Sequence, residues 1–311
     1  MKKLILLAAS VVAINSVIFA QADSAATESP WKREGLISIT FSQVSLDNWQ
    51  GGGESSVSGN ALLKYSADYT KGKWSWGNDL EMAIGLTQLG STDPRKTDDR
   101  IELVSKLARS IAPKWDATFL STFRTQFTEG FKIDEDTIGN RISHFMAPGY
   151  LFAGLGFTYK PTDWLSFELS PATSKMTFVR LQELADNGDY GVEAAVRDTA
   201  GNIITQGKRF RFELGGYAKI HLKKEIIKNV TFETKADFFS NYLENPQNID
   251  VTWDVLLVMK VNSWLSANLT TNLIYDDDIN IVVGQRADGS DITGPRTQFK
   301  QTFGAGLTAK F

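Results

Sequence analysis

Apolar and polar side chains alternate along this chain with a period of two residues over long stretches. Between Val57 and Tyr69 the odd positions are mostly apolar or small, whereas the even positions are mostly Ser, Asn, Lys and Asp. A short turn follows, and the alternation resumes from Trp74 to Leu86. Strands of soluble proteins usually run for about 5 to 6 residues. Alternation over this length is typical of strands that cross a membrane.

The same alternation recurs to the C-terminus and predicts about twelve strands, an even number as single-chain bacterial barrels contain. The predicted strands are 36–46, 57–69, 74–86, 100–111, 115–127, 150–160, 164–170, 209–223, 230–242, 250–261, 265–275 and 298–311. The predicted fold is therefore all-β, a transmembrane antiparallel up-and-down β-barrel. A soluble all-β fold is the alternative.

The connections between these strands differ in length. Short turns are predicted at 71–73, 112–114, 161–163, 224–229 and 262–263, and long connections at 128–149, 171–208 and 276–297. Outer-membrane barrels have short periplasmic turns and longer external loops. With an even number of strands, both termini should lie on the periplasmic side.

Aromatic residues mark the predicted membrane boundary. Trp74, Trp115, Trp164 and Trp264 each follow one of the short turns directly, which predicts an aromatic girdle at the periplasmic interface. The last strand alternates up to Phe311. A terminal aromatic on an amphipathic last strand resembles the signal that the outer-membrane barrel-assembly machinery reads, so Phe311 is predicted to be an assembly signal.

The N-terminal residues indicate export. Met1-Lys2-Lys3 precedes an apolar run that ends in the small-residue site Ala20-Gln21-Ala22, as in a cleavable secretory signal. We therefore expect a signal peptide at 1–22, a short periplasmic segment at 23–33, and an outer-membrane barrel at 34–311, after Sec-dependent export. An N-terminal membrane helix is the alternative. The chain has no Cys, which excludes disulfides and the lipidated Cys of a lipoprotein.

Charge adds a candidate function for the interior. The net charge of -3 does not suit a nucleic-acid binder. Positively and negatively charged residues both occupy the positions that should face the lumen. We predict that a substrate path through the lumen is lined by Lys64, Arg124, Arg209, Arg211, Glu213, Lys235 and Asp254. Two interpretations remain open: a structural network of ion pairs, or a narrow path for a small polar or charged solute. The two signs nearly balance, so no ion type is predicted.

Catalysis is not predicted. The chain has two His residues, His144 and His221, and neither has a Ser or Asp partner at a recognisable spacing. The acidic residues 276–278 are typical of a solvated loop or of a weak divalent-cation site that bridges lipopolysaccharide phosphates, and not of a catalytic pair. Their spacing lacks the order of a calcium-binding loop. We expect no catalytic residues, no metal site and no cofactor.

Two segments resemble a known family. Residues 41–53 and 169–179, the latter continuing to 188–192, are similar to a domain-of-unknown-function family of Bacteroidota outer-membrane proteins. The resemblance would cover essentially the whole mature chain. It implies a barrel in the outer membrane and brings no established activity or site residues.

The glycine-rich end of the first segment has two interpretations. Trp49, Gly51, Gly52 and Gly53 suit a tight external turn, in which glycine allows close backbone approach and Trp49 anchors at the membrane interface. Alternatively, they form a constriction together with the loop predicted at 171–208, which is too long to be a mere connection.

Three functions are considered. The first is a narrow channel or transporter for a small polar solute. The second is a non-conducting barrel that scaffolds a surface or envelope protein complex, and the third is a lipid-modifying enzyme. The expected partners are outer-membrane lipid and lipopolysaccharide, the barrel-assembly machinery and an envelope protein; no nucleic acid is expected.

Overall fold

A computed structural model of the chain describes residues 29–45, 55–134, 137–286 and 291–311. The chain divides into an N-terminal unit, Met1–Pro30, and a body, Trp31–Phe311. The predicted signal peptide at 1–22 and most of the segment at 23–33 lie outside the described residues. So do Trp49, Gly51, Gly52 and Gly53.

Long strands dominate the body. The strands are β1 (Trp31–Val44), β2 (Ser56–Lys71), β3 (Trp74–Leu89), β4 (Arg95–Ala112), β5 (Trp115–Thr125), β6 (Gly130–Asp134), β7 (Thr137–Ser143), β8 (Gly149–Thr162), β9 (Leu165–Phe178), β10 (Val196–Arg197), β11 (Ile203–Thr205), β12 (Phe210–Ile227), β13 (Val230–Asn241), β14 (Asp250–Lys260), β15 (Leu265–Tyr275), β16 (Asn280–Gln285), β17 (Asp291–Pro295) and β18 (Gln298–Lys310), with one short helix, α1 (Gln182–Asn187).

Twelve of these strands form one closed antiparallel barrel, which confirms the predicted fold. Their order around the barrel is β1, β18, β15, β14, β13, β12, β9, β8, β5, β4, β3, β2. The remaining strands form three separate hairpins: β6 with β7, β10 with β11, and β16 with β17. The barrel closes where β1 pairs with β18, with Leu36 opposite Lys310. Closure removes the unpaired strand edges that a membrane would not tolerate.

The barrel has two different ends. The end that carries the turns between β2 and β3, β4 and β5, β8 and β9, β12 and β13, and β14 and β15 is called here the turn end; the first residues of β1 and the last of β18 also lie there. The other, called the loop end, carries the longer connections, including all three hairpins. β1 begins at Trp31, slightly before the expected start of the barrel at residue 34.

The prediction of a strand at 164–170 was too short. β9 continues past Pro171 to Phe178, so the connection predicted at 171–208 begins only at residue 179. Pro171 lies in a β-bulge, in which residues 171–172 lie opposite Gly216 alone. A bulge accommodates a residue without an N–H and shifts the alternation of the strand by one. Glu168 before the bulge and Lys175 after it are therefore both buried.

The outer surface of the barrel is apolar. Large side chains are exposed along its full circumference, among them Ile39, Leu103, Phe119, Leu155, Phe212, Trp253 and Phe303. Leu155 and Phe303 are 63% and 67% exposed. Soluble monomers rarely expose apolar patches of this extent, whereas a band of outward apolar residues is what a lipid bilayer covers in a barrel.

Aromatic rings cluster on this surface near the turn end. The ring of Trp31 lies 5.2 Å from that of Tyr69 and 5.8 Å from that of Trp76. Trp115 stacks on Tyr159 at 4.8 Å. Amphipathic rings of this kind prefer the boundary between hydrocarbon and water.

The connection of residues 179–209, called here the loop lobe, has a small core of its own. Val179, Leu184, Ala185 and Val192 are buried together with Ala147 from the connection between β5 and β8. α1 is followed by Gly188, whose positive φ of 76° suits a glycine. The lobe is thus a folded cap on one side of the loop end. Among the described residues, no helix is both long and apolar enough to span a membrane.

Candidate functional site: the charged lumen

Ion pairs cross the middle of the barrel. The Lys64 ammonium on β2 lies 3.0 Å from Glu81 on the neighbouring strand and 3.4 Å from Glu233 on β13, on the far wall. Arg100 on β4 contacts Glu81 and also lies 3.7 Å from Asp254 on β14. β4 and β14 are diametrically opposite in the ring of strands. Long cationic side chains therefore occupy the cross-section at this level.

A second set of pairs lies beside the first. Arg124 on β5 lies 2.9 Å from Glu102 and 3.0 Å from Asp237 on β13. Lys219 lies 3.5 Å from the same Asp237 carboxylate, and the Tyr217 hydroxyl donates to it at 2.6 Å. Buried charges need such partners, because an unpaired charge away from water carries a desolvation cost of several kcal/mol.

A third cluster lies at the loop end of the lumen. The Lys175 ammonium lies 2.6 Å from Asp250, 3.1 Å from Asp276 and 3.7 Å from Glu213, and the Lys175 side chain is only 5% exposed. The Lys175 nitrogen also lies 5.4 Å from the centre of the Phe239 ring, within cation–π distance. The ammonium is thus held by three carboxylates and one aromatic face.

The loop lobe is attached to this cluster through Arg211. The Arg211 guanidinium donates to the backbone carbonyl of Gly191 at 2.9 Å and lies 2.8 Å from Asp278. Next to Gly191, the Tyr190 hydroxyl donates to the carbonyl of Ile142 at 2.5 Å. Burial raises the pKa of Tyr190 above its ordinary value. The lobe is therefore fixed over one side of the mouth.

The free space of the lumen is a row of cavities. Two cavities of about 350 and 400 Å³ lie at the loop end. A small one of about 80 Å³ lies at the level of Lys64 and Arg100, and one of about 560 Å³ lies towards the turn end, beside Lys223 and Glu34. The smallest of these cavities lies where the ion pairs cross the lumen.

The structure brings most of the residues predicted to line a path together inside the barrel. Lys64, Arg124, Arg211, Glu213 and Asp254 make the contacts described above, and Lys235 lies 3.9 Å from Glu233. Arg209 does not belong to this group, since it lies just before β12 and its side chain is exposed. Arg100 and Lys175 were missed. Alternation on β4 could have found Arg100, but the bulge at Pro171 hid the inward direction of Lys175.

The four tryptophans proposed as a girdle all lie at the turn end. Trp74, Trp115 and Trp264 are 48%, 44% and 57% exposed. Trp164 lies in the turn that precedes β9, with the Lys224 ammonium 4.6 Å from the centre of its ring. Phe311 is exposed and exchanges backbone hydrogen bonds with Gly35 at 2.7 and 3.1 Å.

The histidines each contact an acid. His221 lies 3.2 Å from Glu233 in the lumen, and His144 lies 3.6 Å from Glu129 at the loop end. Across the described ranges, no group of three or more His, Cys, Asp or Glu side chains is arranged to hold a metal ion.

Fold and site together define a closed, twelve-stranded antiparallel β-barrel with an apolar exterior and an ion-paired lumen. One family model, described as a protein of unknown function (DUF3078), matches residues 41–131, from the end of β1 into β6. This part of the chain is thus similar to an uncharacterised family. No curated protein matches the chain.

Several solved structures match the chain over most of its length at low sequence identity. The translocator domain of the autotransporter NalP from Neisseria meningitidis is 10% identical, with a TM-score of 0.35, and the match covers 98% of this chain and 95% of that one. An outer-membrane channel from Pseudomonas putida F1 is 8% identical, with a TM-score of 0.39 and coverage of 94% and 100%. The NanC porin is also 8% identical, with a TM-score of 0.36 and coverage of 88% and 98%. At these values the likenesses support no inference about activity.

Proposed function

We propose that the protein is an integral outer-membrane β-barrel that provides a narrow path for a small polar solute. The observation that carries the proposal is the row of cavities with charged side chains in their walls, the smallest of which lies where Lys64 and Arg100 cross the lumen. A polar, charge-lined interior with a constriction is what a selective pore requires.

The apolar exterior supports a membrane location, and the asymmetry of the two ends supports an orientation. We place the turn end, with both termini and the aromatic rings, in the periplasm, and the loop end outside the cell. We also propose that the chain is exported through the Sec pathway, that residues 1–22 are removed, and that Phe311 serves as an assembly signal. In the same proposal, lipopolysaccharide is a lipid partner and the protein belongs to a Bacteroidota family.

The constriction is suited to selection because its blocking groups are side chains. Lys64 and Arg124 reach their partners on β13 through long, flexible stems. A charged solute can therefore take the place of one member of an ion pair without movement of a strand. Exchange of one ionic contact for another lets a solute pass while the lumen stays closed to larger molecules.

Single-channel recording tests the proposal. The full chain, purified in detergent and inserted into planar bilayers, should give small, reproducible current steps in KCl. Bilayers that stay silent at all voltages and salt concentrations, with insertion verified by protease protection, would contradict conduction.

A scaffold for an envelope protein is the second candidate, because the loop lobe is folded around its own core and the crossing ion pairs brace the barrel. Purification from native membranes in mild detergent distinguishes the two. A stoichiometric partner that is lost when residues 193–206 are replaced by a short linker would favour the scaffold, whereas recovery of the bare barrel would oppose it.

A further inference from the structure

The cluster around Lys175 is already an ammonium site. Three carboxylates lie within 3.7 Å of the Lys175 nitrogen, and the Phe239 ring closes one side. Carboxylates combined with an aromatic face are the groups that proteins use to bind organic ammonium ions. Lys175 therefore occupies, on a tether from β9, a position that a free amine could share or take.

The carboxylates at this site are not fully neutralised. Among the described residues, Asp250 and Asp276 have no cationic partner except Lys175. Glu213 shares Lys175 with them and shares Arg211 with Glu244 and Asp278. Two cationic side chains thus face five carboxylates. In a partly enclosed mouth, this excess of negative charge raises the local concentration of cations.

An aromatic cavity adjoins the cluster. The space of about 350 Å³ beside Lys175, Asp250 and Asp276 is also walled by Tyr150, Phe152, Tyr190, Tyr217 and Phe239, and by Arg124 and Asp237, which pair with each other. Its volume suits a molecule of a few to about a dozen heavy atoms. The rings provide apolar and π surfaces for the stem of an organic cation next to the carboxylates that would bind its charged end.

One buried group in the same cavity lacks a partner. Thr122 lines the wall and is only 4% exposed, and its hydroxyl oxygen has no hydrogen-bond partner among the described residues. Buried hydroxyls are normally hydrogen-bonded. This observation is independent of the carboxylates. The oxygen is enclosed in this conformation, so it would reach a polar occupant of the cavity after rotation of the Thr122 side chain.

We propose that the loop-end cavity binds a small organic cation with a primary ammonium group, through Asp250, Asp276 and the surrounding aromatic rings. Binding of the amine does not require conduction, but its role as the transported solute rests on the proposed function. Lys175 competes with the amine for the same carboxylates. This competition keeps binding weak, and a solute that must also leave the site requires weak binding.

The test uses 1,4-diaminobutane as the probe and the full chain in detergent for calorimetry. The wild type should bind the diamine, and the uncharged sugar glucose should give no heat of binding. Lys175→Met removes the competitor and should tighten diamine binding by about tenfold. Lys208→Met removes the same charge from the exposed part of the loop lobe, where Lys208 pairs with Glu193, and should leave the affinity unchanged.

A second variant tests the proposal even if Lys175→Met does not fold. Asp276→Asn keeps Lys175 paired with Asp250 and should weaken diamine binding by about tenfold. No binding to the wild type, or equal affinities for the wild type and Asp276→Asn, would overturn the proposal. Binding of glucose with comparable affinity would also overturn it, in favour of an uncharged solute.

Planar bilayers separate this inference from the proposed function. If the channel conducts, the diamine added on the loop side should reduce the current and the reversal potential in a KCl gradient should show cation preference. Conduction that the diamine does not block and that shows no cation preference would contradict the amine site and leave the proposed channel function standing. If the bilayers stay silent but calorimetry shows that the diamine binds, the proposed channel function would be contradicted and the amine site supported.

Discussion

The guanidinium of Arg100 lies 3.7 Å from the carboxylate of Asp254 on the diametrically opposite strand. A contact between opposite walls requires the lumen to be no wider than two extended side chains at this level. Asp254 is held in turn by a hydrogen bond from the Asn272 amide. The constriction is therefore built from side chains and can be widened by a substitution that leaves the strands unchanged.

Arg100→Gln should increase single-channel conductance by about twofold, because a shorter neutral side chain opens the cross-section. Arg109→Gln is the matched control. It lies on the same strand, but its guanidinium is outside the barrel, 5.5 Å from the Trp74 ring. Recordings in planar bilayers measure both variants, and equal conductance in the two would show that Arg100 does not limit the path.

The hydroxyl of Tyr217 should stabilise the barrel. It is buried and donates to the Asp237 carboxylate at 2.6 Å, and a hydrogen bond to a charged group contributes about 1.5–3 kcal/mol. Tyr217→Phe should lower the free energy of unfolding by about that amount, measured by urea titration of the barrel in lipid vesicles.

Tyr159→Phe is the control for this prediction. Tyr159 stacks on Trp115 outside the barrel, and its substitution should change the stability by less than about 0.5 kcal/mol. Similar losses in both variants would mean that removal of a tyrosine hydroxyl at any position, and not loss of the contact with Asp237, accounts for the effect.

The barrel was predictable because its signal is local. Two-residue alternation identifies each strand without knowledge of its neighbours, and the lengths of the connections distinguish the two ends. β9 was the exception, since Pro171 looks like the end of a strand. Only the pairing with Gly216 reveals that it lies in a bulge.

The partners inside the lumen could not be predicted in the same way. Alternation places Lys64 and Glu233 on the inner face, but contact between them depends on the tilt and stagger of strands five positions apart around the barrel. Neither property is visible in a single strand. The shared carboxylates around Lys175 were unpredictable for a second reason, since the bulge reverses the face on which Lys175 lies.

Because the exterior is apolar, the cost of a charged substitution on it should depend on its depth in the membrane. Leu155 lies in the middle of β8 and is 63% exposed. Leu155→Arg should destabilise the barrel in vesicles by about 2–4 kcal/mol, because a cation near the middle of a bilayer is costly. Trp264→Arg, at the turn end and 57% exposed, should cost only about 0–1 kcal/mol. Equal costs in urea titrations would argue against a membrane that covers Leu155.

The loop lobe should loosen at acid pH through Asp186. Hydrogen bonds from the Gln182 side chain and the Gly207 amide hold the pKa of Asp186 below its ordinary value. A lowered pKa means that the stabilising contact is fully present above the ordinary Asp pKa of about 3.9 and is lost as the pH falls through the lowered value. The stability of the loop lobe should therefore be the same at neutral and at mildly acidic pH.

Hydrogen exchange of the Gly207 amide measures this effect. Asp186→Ala should accelerate the exchange at neutral pH by roughly threefold to tenfold. Asp198→Ala removes a carboxylate that hydrogen-bonds the amides of Ala200 and Asn202 in the same lobe, and it should leave the Gly207 amide unaffected. If both variants accelerate exchange equally, the lobe unfolds as one unit and Asp186 is not a separate anchor.

Closure of the barrel should depend on Gly306 in β18. A Cβ at this position would collide with the carbonyl oxygen of Ile39 and lie 2.7 Å from the Cα of Thr40, so the β1 backbone would have to shift. Gly306→Ala should therefore destabilise the barrel by about 1–3 kcal/mol. At Gly59, on the other side of β1, the nearest atom to such a Cβ is 3.9 Å away, and Gly59→Ala should be neutral or stabilise by up to about 1 kcal/mol. Urea titration in vesicles compares the two, and equal stabilities would mean that β1 and β18 can separate to admit a methyl group without weakening the closed barrel.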